Sequence, residues 1–423
     1  MENTLFLNIS SLVTVDTKGK GFKAGPEMQD IREIKNGAIY FSDKIKWFGT
    51  TDEARILLSN NKIDPNLIID KKGCTVMPGF VDSHTHIVFA GDRADEFGQR
   101  LRGATYKDIA EQGGGIKTTV KATRNATKEE LLENAKALLQ SALSYGTTTF
   151  EIKSGYSLNT EGEIKQLEVI DELKNSCEIT IVPTFLGAHD IPEEYKDDPD
   201  KYIDILCNEM LPLVKERNLA EFCDVFVDEG YYTVEQGQRI FEKAKEQGFK
   251  IKVHADELAD KSVGLLAAKL NAHSADHLLF TNDESLEAMK EANTVACLLP
   301  GTAYFIRMPY ANARKMIDMG LIVAIATDTN PGSSFTENMQ LILSLSVINM
   351  KMTAEEAISA ATINGSKALD LQDRKGSIEK DKDADFIVLN TPNYLNLFYH
   401  FGVNHVKEVW VKGKKVIPQN IGN

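Results

Sequence analysis

Basic charge is scarce in this chain. Its 48 lysines and arginines stand against 62 aspartates and glutamates, a formal net charge of −14. That balance argues against nucleic acid and anionic membrane as partners, since both are bound through a basic surface. Cysteine is scarce too. The five present (Cys74, Cys177, Cys207, Cys223 and Cys297) form no Cys-x-x-Cys pair and are odd in number, the pattern of reduced thiols rather than of a disulfide framework. No apolar run approaches the roughly 18 residues of a membrane span. No repeat or low-complexity tract stands out, and Met1-Glu2-Asn3-Thr4 lacks the basic start of a secretory signal. A soluble, cytoplasmic protein is the expectation.

What is present is a recurring unit: a short apolar run, a polar tip, then a longer amphipathic stretch. The chain has 423 residues, 42% of them hydrophobic, so it can bury a core without disulfides or structural metal. The runs are Thr75–Val81, Thr147–Ile152, Ile179–Phe185, Asp224–Val227, Lys250–Val253, Ala272–Ala275, Val295–Leu299 and Ile322–Ala326. Most are short and rich in Val, Ile, Thr or Phe, as buried parallel strands are; the sixth is the weakest. Between them lie helical stretches. In Lys128–Ser144, Leu131, Leu132, Ala135, Leu138 and Leu139 keep helical spacing behind a Thr127/Glu130 capping box. Thr233–Glu246 is similar, with Gly248 as its stop. Strands alternating with helices imply right-handed crossovers, and eight units predict a (β/α)₈ barrel over residues 74–360. Residues 1–73 and 361–423 alternate in strand-and-turn fashion without long helices. Neither end is large enough for a core alone, so both are expected to pair into one small composite β-sandwich domain.

Polar residues gather after the strands: Asp82-Ser83-His84, Lys153-Ser154, Gly187-Ala188-His189, Asp228-Glu229, His254-Ala255-Asp256-Glu257, Asp276-His277 and Asp328-Thr329-Asn330. A barrel works at its carboxyl-end rim, so these belong to one composite site. His84 and His86 are two apart, on one side of an extended segment, and can converge on one point. Strands one and eight adjoin in a closed barrel, which brings Asp328 beside them; His254 reaches in from strand five. Three imidazoles and one carboxylate with room for water make an open catalytic metal site for zinc or iron. His254 could instead be a satisfied core histidine and Asp328 a helix cap. No lysine follows strand four, which favours one ion. Asp328 can hold a water and accept its proton as general base.

Beyond that set, the segments Pro78–Phe97 (PGFVDSHTHIVFAGDRADEF), Glu151–Leu158 (EIKSGYSL), Thr184–Asp190 (TFLGAHD), Val253–Leu258 (VHADEL), Ser274–Leu278 (SADHL) and Ala326–Gly332 (ATDTNPG) resemble the imidazolonepropionase family of the metal-dependent amidohydrolase superfamily, and the likeness covers nearly the whole chain. It implies hydrolysis of 4-imidazolone-5-propanoate to N-formimidoyl-L-glutamate by opening a cyclic amide. It implies one zinc or iron ion on His84, His86, His254 and Asp328, and substrate or product binding by Arg93, Tyr156, His189, Glu257, Thr329, Asn330 and Gly332. His277 would orient the water or steady the developing oxyanion. By type, Arg93 offers a bidentate fork to the propanoate carboxylate, or a surface ion pair to Asp92 or Asp95. Tyr156 can hydrogen-bond and pack on a ring, or simply pack. Glu257 can address a ring nitrogen or serve as an acid of the next helix. His189 can donate to the ring carbonyl or cap the turn at Asp190. Asn330-Pro331-Gly332 can present amides to a carboxylate or form an ordinary turn.

Gly113-Gly114-Gly115 is not followed by the Gly-Lys-Ser/Thr of a phosphate cradle and is expected to be a mobile loop over the mouth. His273 is expected to be structural, and His400 and His405 to stand apart from catalysis. A small-molecule substrate is the expected partner, and a homodimer, the commonest default, the expected assembly.

Overall fold

The computed structural model describes residues 2–104 and 114–417. The amino-terminal part supplies β1 (Thr4–Val13), β2 (Glu33–Phe41), β3 (Ile45–Thr50), β4 (Leu67–Asp70) and β5 (Thr75–Pro78). The middle supplies β6 (Phe80–Asp82), β7 (Thr147–Lys153), β8 (Thr180–Ala188), β9 (Phe222–Val227), β10 (Lys250–Ala255), β11 (Ser274–His277), β12 (Val295–Leu298) and β13 (Val323–Ile325), and the carboxyl-terminal part β14 (Phe386–Leu389), β15 (Val406–Val411) and β16 (Lys414–Ile417).

β6 to β13 form one eight-stranded sheet in sequence order, every neighbouring pair parallel. Helices on its outside separate the strands, as short β-branched runs linked by amphipathic stretches require. The helix Lys128–Ser144 starts on the expected Thr127/Glu130 capping box, and Val234–Glu246 starts on Thr233 and is followed by Gly248 at φ +84. Beyond β6 and β13 the ends are joined by the Asp328 N–H on the His84 carbonyl (3.0 Å) and the His86 N–H on the Thr329 carbonyl (2.9 Å). The barrel therefore closes through the segments that carry the candidate ligands. Even the weak sixth run forms a strand, shifted toward its polar end.

The other sheet draws on both chain ends, in the order β16-β15-β14-β5-β1-β2-β3, with β4 also on β1. Phe6 of β1, Phe41 of β2, Phe386 of β14 and Trp410 of β15 place their ring centroids 5.0–5.8 Å apart. Strands that are not neighbours in the sheet thus meet face to face, so the sheet folds over on itself around a small aromatic core, sandwich fashion.

The run Thr75–Val81 is not one barrel strand. It divides at Gly79: Thr75–Pro78 pairs antiparallel with β14 and parallel with β1, while Phe80–Asp82 pairs with β7. The backbone changes partner there: the Gly79 N–H donates to the Asp385 carbonyl (3.2 Å) and the Phe80 N–H to the Gly146 carbonyl (2.9 Å), while a Cβ at Gly79 would lie 2.3 Å from Thr148 Oγ1. One continuous apolar segment therefore serves both sheets, and the helical segment through Gly365–Ala368 still packs on the barrel.

Lys412 (φ +46) and Gly413 (φ +70) turn β15 into β16, both left-handed as a tight hairpin requires. A Cβ at Gly413 would fall 1.6 Å from the Ser42 carbonyl oxygen. A Gly413→Ala chain is expected to lose roughly 2–4 kcal/mol of stability, measured by chemical denaturation. Unchanged stability would contradict this packing.

Candidate active site

β6 ends at Asp82, whose carboxylate accepts from the Thr327 backbone N–H (3.0 Å) and hydroxyl (2.6 Å) after β13. The two strand tails are thereby fixed side by side. His84 and His86 bring their Nε2 atoms within 3.1 Å of each other, and each lies 3.5 Å from Asp328 Oδ1. Donor atoms about 2.1 Å from a common ion, and roughly 95–115° apart around it, stand about 3.1–3.5 Å from one another. The three atoms fit a divalent metal.

His254, in β10, places its ring 4.5 Å from that of His84 and 5.5 Å from that of His86. Three overlapping sets have all their ligand atoms within 4.8 Å of one another: His84, His254 and His277; His86, His189 and His254; His84, His86 and Asp328. All six side chains are buried except that of His189, which is nearly so. Burial holds His84, His86 and His277 well below the usual imidazole range and takes His189 down to about 3. Neutral imidazole is the form that binds a metal. Asp328 is pushed up to about 6 by burial, against the hydrogen bond from the Thr302 hydroxyl (2.5 Å). His277 (φ +80) and Asp328 (φ +53) both hold left-handed backbone at the rim, a strain that clusters at functional sites.

A cavity of about 800 Å³ opens beside these groups, and Arg93, Tyr156, His189, Glu257, Asn330 and Gly332 line it together with His86, His254, His277 and Asp328. Tyr156 packs its ring 5.9 Å from His86 and 5.3 Å from His189. Its loop is pinned by Glu163, which accepts from the Ser157 and Leu158 N–H groups (2.9 and 2.8 Å). Arg93 pairs through Nε with Glu96 (2.8 Å). Glu96 in turn accepts from the Gly115 N–H (3.0 Å), tying this loop to the start of the helix Ile116–Asn125. Gly113 lies outside the described residues. Glu257 is held by its backbone N–H on Asp228 (2.7 Å), and its carboxylate lies 3.6 Å from His277 Nδ1. Burial, and then the charges of Asp328 and Asp228, push that carboxyl well above its ordinary range.

Several expected roles take a different form. His189 Nδ1 sits 3.0 Å from the Gly155 carbonyl, so that nitrogen carries the proton and Nε2 is left as an acceptor, not a donor to a ring carbonyl. Thr329 does not line the cavity; its hydroxyl is spent on the Thr336 carbonyl (2.6 Å) and the Thr327 hydroxyl (2.7 Å). Asn330 Oδ1 takes the N–H groups of Gly332 and Ser333 (2.8 Å each), so the turn uses its own amides rather than offering them to a carboxylate. Gly332 matters through what it lacks: a Cβ there would fall 2.2 Å from an Arg93 terminal nitrogen. His273 packs edge-on against Phe222, away from the cluster, and His400 and His405 pair with each other in the carboxyl-terminal segment.

The sequence reading missed Arg100, whose guanidinium lies over the rings of Phe97 and Phe305 and donates to the Gly332 carbonyl (3.3 Å) at the cavity wall. It placed Lys153 and Asp276 at the rim and missed that they lie buried with Glu151, Asp224 and Lys252 inside the barrel. Lys153 and Lys252 occupy short apolar strands that must be buried, and that misfit was the available signal.

The model of the amidohydrolase family matches residues 75–416, and the chain belongs to that family. Within it the chain falls with the imidazolonepropionases. It is 48% identical to the imidazolonepropionase of Alkaliphilus metalliredigens over 423 residues, 99% of each chain, and 49% identical to that of Alkaliphilus oremlandii over 415 residues, 97% of each. Among solved structures, a zinc-bound adenosine deaminase from Xanthomonas campestris shares the fold: TM-score 0.71 at 17% identity, covering 97% of this chain and 92% of that one.

Proposed function

We propose that this chain, a hydrolase acting on a C–N bond, opens the cyclic amide of 4-imidazolone-5-propanoate with water to give N-formimidoyl-L-glutamate in histidine degradation. The observation that carries it is near-half identity to imidazolonepropionases along the whole chain. The cavity supports it physically, because imidazoles, carboxylates and guanidinium groups share its lining.

His84, His86, His254 and Asp328 would hold one metal ion, zinc or iron. When bound, the ion supplies Lewis acidity that polarises a carbonyl and lowers the pKa of water toward about 7. Asp328 takes the proton of the attacking water and returns it to the departing ring nitrogen. His277 presents an N–H to the developing oxyanion. Glu257, its carboxyl pushed up by burial, faces a ring nitrogen, and His189 Nε2 accepts from a ring N–H. Tyr156 packs on the ring. Arg93 takes the propanoate carboxylate, with Gly332 leaving it room and Asn330 and Thr329 building the turn. The barrel over 74–360 is the catalytic domain in this reading, with the composite domain from 1–73 and 361–423 beside it. A homodimer in the cytoplasm completes it; among the described residues no helix is long and apolar enough to cross a membrane.

The test follows loss of the imidazolone chromophore with zinc- or iron-loaded chain before and after chelation. Turnover that disappears on chelation and returns with metal is expected. Ammonia release from a purine or pyrimidine, with the imidazolone untouched, would overturn the assignment in favour of a heterocyclic-base deaminase.

A further inference from the structure

Beneath the histidines the barrel interior holds five charged side chains that the proposed reaction does not use. Glu151 and Lys153 of β7, Asp224 of β9, Lys252 of β10 and Asp276 of β11 all have fully buried side chains. Lys153 Nζ bridges Glu151 Oε1 and Asp224 Oδ2 at 2.8 Å each. Lys252 Nζ lies 3.4 Å from Asp276 Oδ2 and donates to the Ser274 hydroxyl (2.7 Å) and the Ser83 carbonyl (3.1 Å).

Burying five charges is a poor way to gain stability. Desolvation offsets most of the attraction, and well-packed apolar side chains of the same volume do as well or better. Their placement supplies the reason for them. Asp276 Oδ2 sits 2.6 Å from His84 Nδ1, and Asp224 Oδ2 sits 3.0 Å from His254 Nδ1, a close contact outside hydrogen-bond geometry. An ionised carboxylate only accepts, so the nitrogen facing it carries the proton and Nε2 is left as a lone pair. For His84 that lone pair faces His86 Nε2 and Asp328 Oδ1. Lys252 grips the carbonyl of Ser83, so one ammonium steadies both the backbone and the orienting carboxylate of the same ligand.

We propose that this buried cluster is a positioning device for the metal ligands. Asp276 and Asp224 set the tautomer and aim of His84 and His254, and Lys252 and Lys153 hold those two carboxylates in place. The role rests on the metal site proposed above. Outer-shell partners of this kind typically change metal affinity by about 10- to 100-fold when removed, whereas a purely structural ion pair would alter melting and leave the affinity of the folded chain unchanged.

The experiment uses the full chain, zinc-loaded and labelled with ¹⁵N-histidine. Its long-range ¹H–¹⁵N spectrum is expected to show His84 and His254 protonated at Nδ1 and bound through Nε2. In Asp276→Leu, which leaves no acceptor, the protected Nδ1 proton of His84 is lost and that of His254 kept, and chelator competition gives a zinc Kd weaker by about 10- to 100-fold. An unchanged Kd in Asp276→Leu overturns the role while leaving the metal site standing. Should that variant fail to fold, the wild-type spectrum decides: Nε2-protonated His84 overturns the role. A wild-type chain that takes up no zinc overturns the metal site and this role together.

Discussion

Asp328→Asn is expected to keep its metal and lose about 10²–10⁴ in kcat, the usual worth of a positioned proton acceptor. The side chain is nearly isosteric, so it can keep the Thr302 contact made at 2.5 Å and an oxygen toward His84 and His86. It cannot take a proton from water. The Asp328 carboxylate, 3.5 Å from both ligand imidazoles, is placed to accept a proton from water at the metal site and release it in one turnover. Steady-state kcat measured alongside metal content per chain separates loss of the base from loss of the ion. Wild-type kcat in a variant that still holds its metal would remove Asp328 from the proton path.

Arg93→Met should lower kcat/KM for the imidazolone propanoate by about 2–4 kcal/mol, roughly 30- to 700-fold, as a buried charge left without its counter-ion does. The same change should have little effect on an imidazolone lacking the carboxylate, and that contrast identifies the tail as the group Arg93 holds. Gly332→Ala is expected to act in the same direction, because its Cβ would displace a terminal guanidinium nitrogen from 2.2 Å. Equal loss on both substrates would point instead to the Glu96 pair and the loop it ties down, and would transfer the carboxylate to another cation such as Arg100.

The barrel was legible because its signals are local: β-branched runs bounded by polar residues, and capping boxes such as Thr127/Glu130 that set helix starts. The His84/His86 pair and Asp328 were legible because neighbouring strand ends must meet when eight strands close. The division of Thr75–Val81 was not, since nothing in an apolar run says which sheet claims each half; only the backbone partners, Asp385 for Gly79 and Gly146 for Phe80, show it. The uses of Asn330 and Thr329 were hidden for a related reason. A polar side chain near a site can face substrate or satisfy its own turn, and only coordinates show that Asn330 Oδ1 is taken by Gly332 and Ser333. Lys153 and Lys252 carried a signal that composition hides: two cations inside strands whose neighbours are all buried.

Adding zinc stepwise to metal-stripped chain while following imidazolone absorbance tests the central assignment most directly. Turnover should rise in proportion to zinc and break at one equivalent per chain, and a His84→Ala chain should show neither the rise nor the break. Full turnover by the stripped chain, or by His84→Ala at one equivalent, would contradict a single ion gathered by His84, His86, His254 and Asp328.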